Sequence, residues 1–125
     1  MSGKVIWVGQ VSDVWEDIAT ELARIFDLSR AAAQSDESIV YVVRQDDLLG
    51  RHGPGNAMVA TGLLSASRTA ALEGARKGWT SNVVAYDEDA DLASVEAWSA
   101  RLLESGGVTG ELIRVGPGHL GKALP

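Results

Sequence analysis

Four short apolar runs divide the chain, at residues 5–8, 39–43, 82–86 and 112–115. They are rich in β-branched and aromatic residues, and apolar positions follow one another instead of alternating with polar ones. This pattern is typical of strands that are buried on both faces of a parallel sheet. We therefore predict four parallel strands.

The stretch at residues 13–33 has the spacing of a helix with one apolar face, formed by Val14, Ile18, Leu22, Ile25 and Leu28. Asp13 and Glu16 stand three residues apart at its start, which is the spacing of a capping box. We predict that these two side chains cap the helix.

Two further stretches have helical spacing. The first covers residues 56–76, follows a Gly53-Pro54-Gly55 turn and ends near Gly78. The second begins after Asp91, a predicted N-cap, and ends before a pair of glycines at 106 and 107. The resulting β-α-β-α-β-α-β order predicts right-handed crossovers. We expect an α/β fold of three layers, with a four-stranded parallel sheet and three main helices, as in a partial Rossmann-like fold.

Composition narrows the class of protein. The 125 residues, of which 46% are hydrophobic, suit one domain with one core, which we assign to residues 1–125. A net charge of −6 with scattered basic residues argues against nucleic-acid binding. No apolar run approaches the roughly 18 residues of a membrane span, and the N-terminus lacks the pattern of a signal peptide. The absence of cysteine excludes thiolate metal sites. We expect a cytoplasmic protein without membrane contact.

A family resemblance begins in the segment at residues 56–84. Here Ala71-Leu72-Glu73 is followed by a turn at Gly78 and a strand with Asn82. This resembles the active-site helix and next strand of the short-chain dehydrogenase/reductase family, in which the helix starts with Tyr-x-x-x-Lys and carries Ala-Leu-Glu near its end.

Other segments extend the resemblance in the same order. Residues 38–43 resemble the family strand that delivers a catalytic serine, and Thr109-Gly110 resembles the phrase before the family's last strand. Residues 5–9 and the helix with Trp15 resemble the fourth strand and the helix after it. The resemblance thus implies a single, N-terminally truncated domain that covers the C-terminal half of the family fold.

The family's catalytic triad is absent from the matching positions. The serine position is Val43, the tyrosine position is Asn56 and the lysine position is Ala60. Valine has no hydroxyl group, and an amide has no proton that titrates near pH 7, so neither replaces the family's acid chemistry. The resemblance therefore implies the family's scaffold without its three catalytic residues.

The family's glycine-rich dinucleotide motif is also missing. The first strand leads into a loop at residues 9–13 with a single glycine. A Gly-x-Gly-x-x-Gly string does occur at residues 116–121, but the four residues after it are too few for the helix and second strand that the motif needs. We predict no cofactor.

Some polar residues keep other chemistry open. His52 and His119 lie in glycine-rich loops and would form a metal or acid–base pair if the loops met, whereas exposed loop histidines are the simpler interpretation. Asp46 and Asp47 follow the second strand, as a general base or as turn residues. We also expect a remnant pocket between Gln10, Ser12, Val43, Asn56 and Asn82.

The acidic run at residues 87–91 is interpreted as a solvated loop before a helix, and no metal site is predicted.

The resemblance also implies an interface. In the family, the helices that correspond to residues 13–33 and 56–76 pack against another subunit as a four-helix bundle. Small residues on the second helix suit such packing, and we assign Ala57, Ala60, Ser65, Ala66 and Thr69 to it. The strand at 5–8 becomes a sheet edge, which we expect the N-terminal residues, Trp7 or a neighbouring chain to cover.

These observations lead to one main hypothesis and two alternatives. The main hypothesis is a non-catalytic accessory or binding subunit that forms a homodimer or joins a full-length reductase. The first alternative is a repurposed non-redox enzyme, a lyase, isomerase or cyclase, that acts on a small ketone or acyl substrate in the remnant cleft. The second is a half-enzyme that another polypeptide completes with a cofactor domain.

Overall fold

A four-stranded parallel sheet forms the middle layer of the computed structural model, which describes residues 3–118. Its strands are β1 (Gly3–Trp7), β2 (Ser38–Arg44), β3 (Ser81–Tyr86) and β4 (Leu112–Val115). They lie side by side in chain order, and each neighbouring pair is parallel. The predicted strands and their direction are confirmed.

Four helices connect the strands. They are α1 (Trp15–Gln34), α2 (Gln45–Leu48), α3 (Pro54–Ala75) and α4 (Leu92–Glu104). The three long helices correspond to the three predicted ones. The single turn of α2 was not predicted, because four residues are too few to show a helical period. None of the helices within residues 3–118 is long and apolar enough to cross a membrane.

The alternating side chains of β2 explain why its sequence is continuously apolar. Tyr41 and Val43 belong to the core cluster beneath α1 and α3, while Val40 and Val42 belong to the cluster beneath α4. All four are at most 2% exposed. Burial of each such side chain contributes about 1.5–3 kcal/mol. The sheet therefore has helices on both faces, which confirms the three-layer architecture.

The hand of the last crossover differs from the prediction. Each crossover steps one strand in the same direction across the sheet, so crossovers of equal hand place their helices on the same face. The helices α1 and α3 share one face, and α4 lies on the other. Because right-handed crossovers are the strong norm, we assign the left hand to the connection through α4. The prediction of right-handed crossovers throughout is wrong at this point.

The capping-box prediction for α1 is also wrong. The N-cap is Val14, which has no side-chain capping bond, and the Ser12 hydroxyl accepts a hydrogen bond from the Val14 amide. The Asp13 carboxylate instead accepts from the amide of Gly55, 42 residues later. The prediction for α4 is confirmed, because the Asp91 side chain accepts from Ala93 N at its first turn.

Two glycines of α3 allow a direct test of this packing. A Cβ on Gly74 would lie 2.4 Å from the carbonyl oxygen of Trp79, whereas a Cβ on Gly62 would meet nothing within 4 Å. We expect Gly74→Ala to lower the free energy of unfolding by about 1–3 kcal/mol, because backbone and an indole ring must move. Gly62→Ala should leave it unchanged or raise it by about 0.5–1 kcal/mol. Urea unfolding at two protein concentrations measures both; equal effects would contradict the packing described.

Candidate functional site

Asn56 lies where parallel α/β sheets bind ligands, at the carboxyl end of the strands. Both ends of its side-chain amide are engaged within the chain. The Oδ1 atom accepts a hydrogen bond from Val11 N at 2.8 Å, and Nδ2 donates to His52 O at 2.9 Å. The residue is only 8% exposed. Asn56 therefore joins the loop after β1 to the first turn of α3 instead of facing a substrate.

A second contact closes the same junction. Asp13 Oδ1 accepts from the amide of Gly55 at 2.9 Å, which places a carboxylate at the N-terminus of α3, where the helix dipole favours negative charge. A Cβ on Gly55 would lie 2.4 Å from the Ser12 carbonyl oxygen. Only glycine lets the two backbones approach this closely.

Val43 and Ala60, the other two positions that the resemblance matches to the triad, lie in the core. Val43 and Ala60 are each 1% exposed and belong to the apolar cluster beneath α1 and α3. Val8 and Val11 pack against this cluster from the loop after β1. The Val43 and Ala60 side chains therefore serve the core and are closed to solvent.

The predicted remnant pocket is not formed as expected. Asn82 stands at the start of β3, the opposite end of the sheet from Asn56. Its side chain donates to Val108 O and accepts from Glu111 N, so it fixes the turn before β4. It is 0% exposed and does not face the loop that holds Gln10 and Ser12.

The predicted acid–base candidates Asp46 and His52 come together after β2, but their neighbours engage the carboxylates. Asp47 accepts hydrogen bonds from both Nε and Nη2 of Arg44 at 2.9 Å. Asp46 pairs with Arg51 at 2.9 Å and lies 3.7 Å from Nε2 of His52. His119 lies outside the described residues, so the alternative in which it pairs with His52 is not tested.

A groove with a volume of about 690 Å³ lies between α1 and α3. Its walls are mainly apolar and include Leu22, Phe26, Gly62, Leu63, Ala66 and Trp79. At its wall the Tyr41 hydroxyl shares a hydrogen bond with Ser29, and burial raises the pKa of Tyr41 above its usual value. The triad positions do not line this groove.

The residues assigned to an interface divide into two sets. Ser65, Ala66 and Thr69 are exposed on the outer side of α3, and Ala57 is half-buried. Ala60 is 1% exposed and lies in the core, so it cannot reach a second subunit. The assignment of Ala60 is therefore wrong. It failed because small size alone does not distinguish a helix surface from close packing on a sheet.

The acidic run before α4 serves its own loop. Asp87 accepts hydrogen bonds from the amides of Asp89 and Gly118, and Asp91 caps α4. A second cavity of about 490 Å³ lies beside it, between α4 and β4. Within residues 3–118, no group of three or more His, Asp or Glu side chains is arranged to hold a metal ion.

Sequence reasoning missed one polar arrangement. Glu21 and Arg24 of α1 reach the end of β1, where they bind Gly9 N and Trp7 O. The hydrogen bond from Arg24 lowers the pKa of Glu21, and the hydrogen bond from the Gly9 amide lowers it further. The sequence shows only a Glu and an Arg three residues apart, a spacing common on solvated helices.

Comparisons with known proteins add no relative. No protein-family model matches the chain, and no curated protein matches it. The resemblance to short-chain dehydrogenases therefore rests on the sequence motifs alone.

The role of Asn56 is testable by substitution. Asn56→Ala leaves the Val11 amide and the His52 carbonyl without their partner, so we expect a loss of about 1–3 kcal/mol in unfolding free energy. Asn56→Asp keeps the acceptor and loses the donor, so its unfolding free energy should lie between those of the wild type and Asn56→Ala. Ser65→Ala, an exposed site on the same helix, is the control and should stay within about 0.5 kcal/mol. Chemical denaturation measures all three. An Asn56→Ala protein as stable as the control would show that the bridge is dispensable.

Proposed function

We propose that this chain is a non-catalytic, short-chain dehydrogenase-like binding or accessory subunit, and that it assembles through α1 and α3. One observation carries the proposal: all three positions that match the family triad serve the fold. Val43 and Ala60 are core residues, and both ends of the Asn56 amide are hydrogen-bonded within the chain.

The closed junction also lacks the groups that redox chemistry needs. A carbonyl reduction needs a proton donor and a bound hydride carrier at the same place. The loop after β1 has one glycine, and its Gly9 amide is bound by Glu21 instead of being free for a phosphate. These features support a protein that binds instead of reducing.

The outer face of α3 supports assembly with a second subunit. Met58 and Leu72, which are 54% and 75% exposed, stand at the two ends of one helical stripe, and Gly62, Ser65 and Thr69 lie between them. Large apolar side chains at this level of exposure are a feature of binding surfaces when they form a patch.

The neighbouring helix adds a matching element. Phe26 of α1 is 63% exposed and lines the groove beside Gly62 and Ala66. A surface with projecting side chains and small residues side by side is able to pack against a copy of itself across a two-fold axis, in which each contact occurs twice. Arg30 and Glu73 also line the groove, so a two-fold arrangement offers charges of opposite sign. We therefore favour a homodimer, and a complex with a full-length reductase is the alternative assembly.

The repurposed enzyme has less support. Its carboxylates, Asp46 and Asp47, each hold an arginine, and neither of the two cavities described above is lined by them. The half-enzyme alternative would require a partner to replace the functions of three residues that the core now uses.

The assembly is tested by changing one exposed leucine on α3 and one on α4, which lie on opposite faces of the sheet. Leu72→Arg places a charge in the proposed interface and should convert a dimer into a monomer in sedimentation and light-scattering measurements. Leu92→Arg changes a leucine of similar type, 55% exposed at the start of α4, and should leave the dimer intact. A wild-type chain that is monomeric at all concentrations, and that captures no reductase from its native host, would contradict the proposal.

The loss of cofactor binding is tested separately. We expect isothermal titration calorimetry with NAD(H) and NADP(H) to show no saturable heat, because the usual phosphate-binding loop is absent and its counterpart is held closed. Saturable binding of either nucleotide in the micromolar range would contradict a non-catalytic role.

A further inference from the structure

The outer edge of β1 has no partner strand within the described residues, because β1 pairs with β2 alone. The ladder continues one residue beyond the strand, where the Val8 amide donates to Val42 O at 3.0 Å. Neighbouring residues of a strand present their backbone groups to opposite sides. The carbonyl of Trp7 and the amide of Gly9 therefore point away from the sheet, toward the open edge.

Two side chains of α1 bind these outward groups. Arg24 Nη2 donates to Trp7 O at 2.8 Å, and Glu21 Oε2 accepts from Gly9 N at 2.6 Å. The two side chains also bind each other, with Nε to Oε1 at 2.8 Å and Nη2 to Oε2 at 2.7 Å. The four hydrogen bonds form one connected group at the end of the edge.

The arrangement copies the contacts of a strand. In a parallel pair, one residue donates its amide to the carbonyl before its opposite residue and accepts from the amide after it. Opposite Val8, those two groups are Trp7 O and Gly9 N. The guanidinium takes the place of the amide donor, and the carboxylate takes the place of the carbonyl acceptor.

We propose that Glu21 and Arg24 form a strand mimic, which closes the C-terminal end of the β1 edge against an extended segment of another polypeptide adding parallel to it. The edge needs such protection, because its flanking side chains Val5 and Trp7 are apolar and Trp7 is 38% exposed. The Glu21 side chain is only 12% exposed, so the carboxylate is held against the backbone and is not a mobile surface group.

The mimic separates two surfaces of α1. The groove toward α3 stays open to a second subunit, while the side toward β1 excludes a strand. This inference does not depend on the proposed assembly, because it concerns a different surface of α1 and holds for a monomer as well as for a dimer.

Amide hydrogen exchange of the intact chain tests the proposal. In a Glu21→Ala, Arg24→Ala variant, we expect the Gly9 amide to exchange at least tenfold faster than in the wild type. The Val8 amide, which is bonded to β2, is the internal reference and should keep its protection. Arg51→Ala, which breaks an exposed arginine pair without a backbone contact, is the control and should change neither amide. An equal rise at Val8 and Gly9, or no rise at either, overturns the proposal.

Association provides the second readout. A fluorescein-labelled peptide with the sequence of residues 3–9 should bind the double variant and not the wild type, as measured by fluorescence anisotropy. The same pair of proteins is compared with Leu72→Arg added, so that helix-mediated assembly does not contribute. If the double variant proves too unstable, Arg24→Lys keeps the charge and loses the fork, and it should still raise Gly9 exchange over Val8. Equal peptide binding to wild type and variant overturns the strand mimic and leaves the helix interface unaffected.

Discussion

The arrangement of the loops at the carboxyl end of the sheet depends on the two hydrogen bonds of the Asn56 side chain. They tie the loop after β1 to the first turn of α3, and they do so at the end of the sheet where α/β proteins bind ligands. Gly55 and Asp13 add a close backbone contact and a carboxylate at the same junction. Because each end of the amide makes a hydrogen bond within the chain, Asn56 is a structural bridge. A buried bridge of this kind is costly to lose, since its partners would remain without hydrogen bonds.

The closed junction is the reason why we propose a different surface for binding. Apolar side chains pack around Val43 and Ala60, and a mainly apolar groove lies open between α1 and α3. The exposed Phe26 and Leu72 are unfavourable in water, and their burial against a second subunit would recover part of that free energy. The proposed absence of reductase chemistry and the proposed assembly of subunits belong to one hypothesis, although each depends on different residues and is tested separately.

The sequence predicted the parts of the fold that depend on local pattern. Continuous apolar runs indicated the four strands, and helical spacing indicated the three long helices, because burial on one or both faces imposes these periods directly.

The hydrophobic pattern did not predict contacts between distant residues. Asp13 looked like a cap for its own helix, yet its partner is Gly55 on another helix. Ala60 looked like a surface residue because it is small, and Asn82 looked like a pocket residue because it is polar. The hand of the α4 crossover depends on how layers pack, which no local period records. The approach of His52 to Asp46 and the arginines that engage Asp46 and Asp47 were not predicted.

The helix α1 shows why a hydrophobic pattern does not reveal such contacts. Ile18 and Ile25 of α1 belong to the same core cluster as Ile39 of β2. Their seven-residue spacing identifies the buried side of the helix. Leu22 and Phe26 lie on the side of the groove, while Glu21 and Arg24 lie on the side of the β1 edge. A hydrophobic period separates buried from exposed positions, but it does not divide the exposed ones by their neighbours. The sheet makes that division, because it places the open strand beside one flank of the helix and α3 beside the other. One helix thus binds the last backbone groups of an edge strand on one flank and borders an apolar groove on the other.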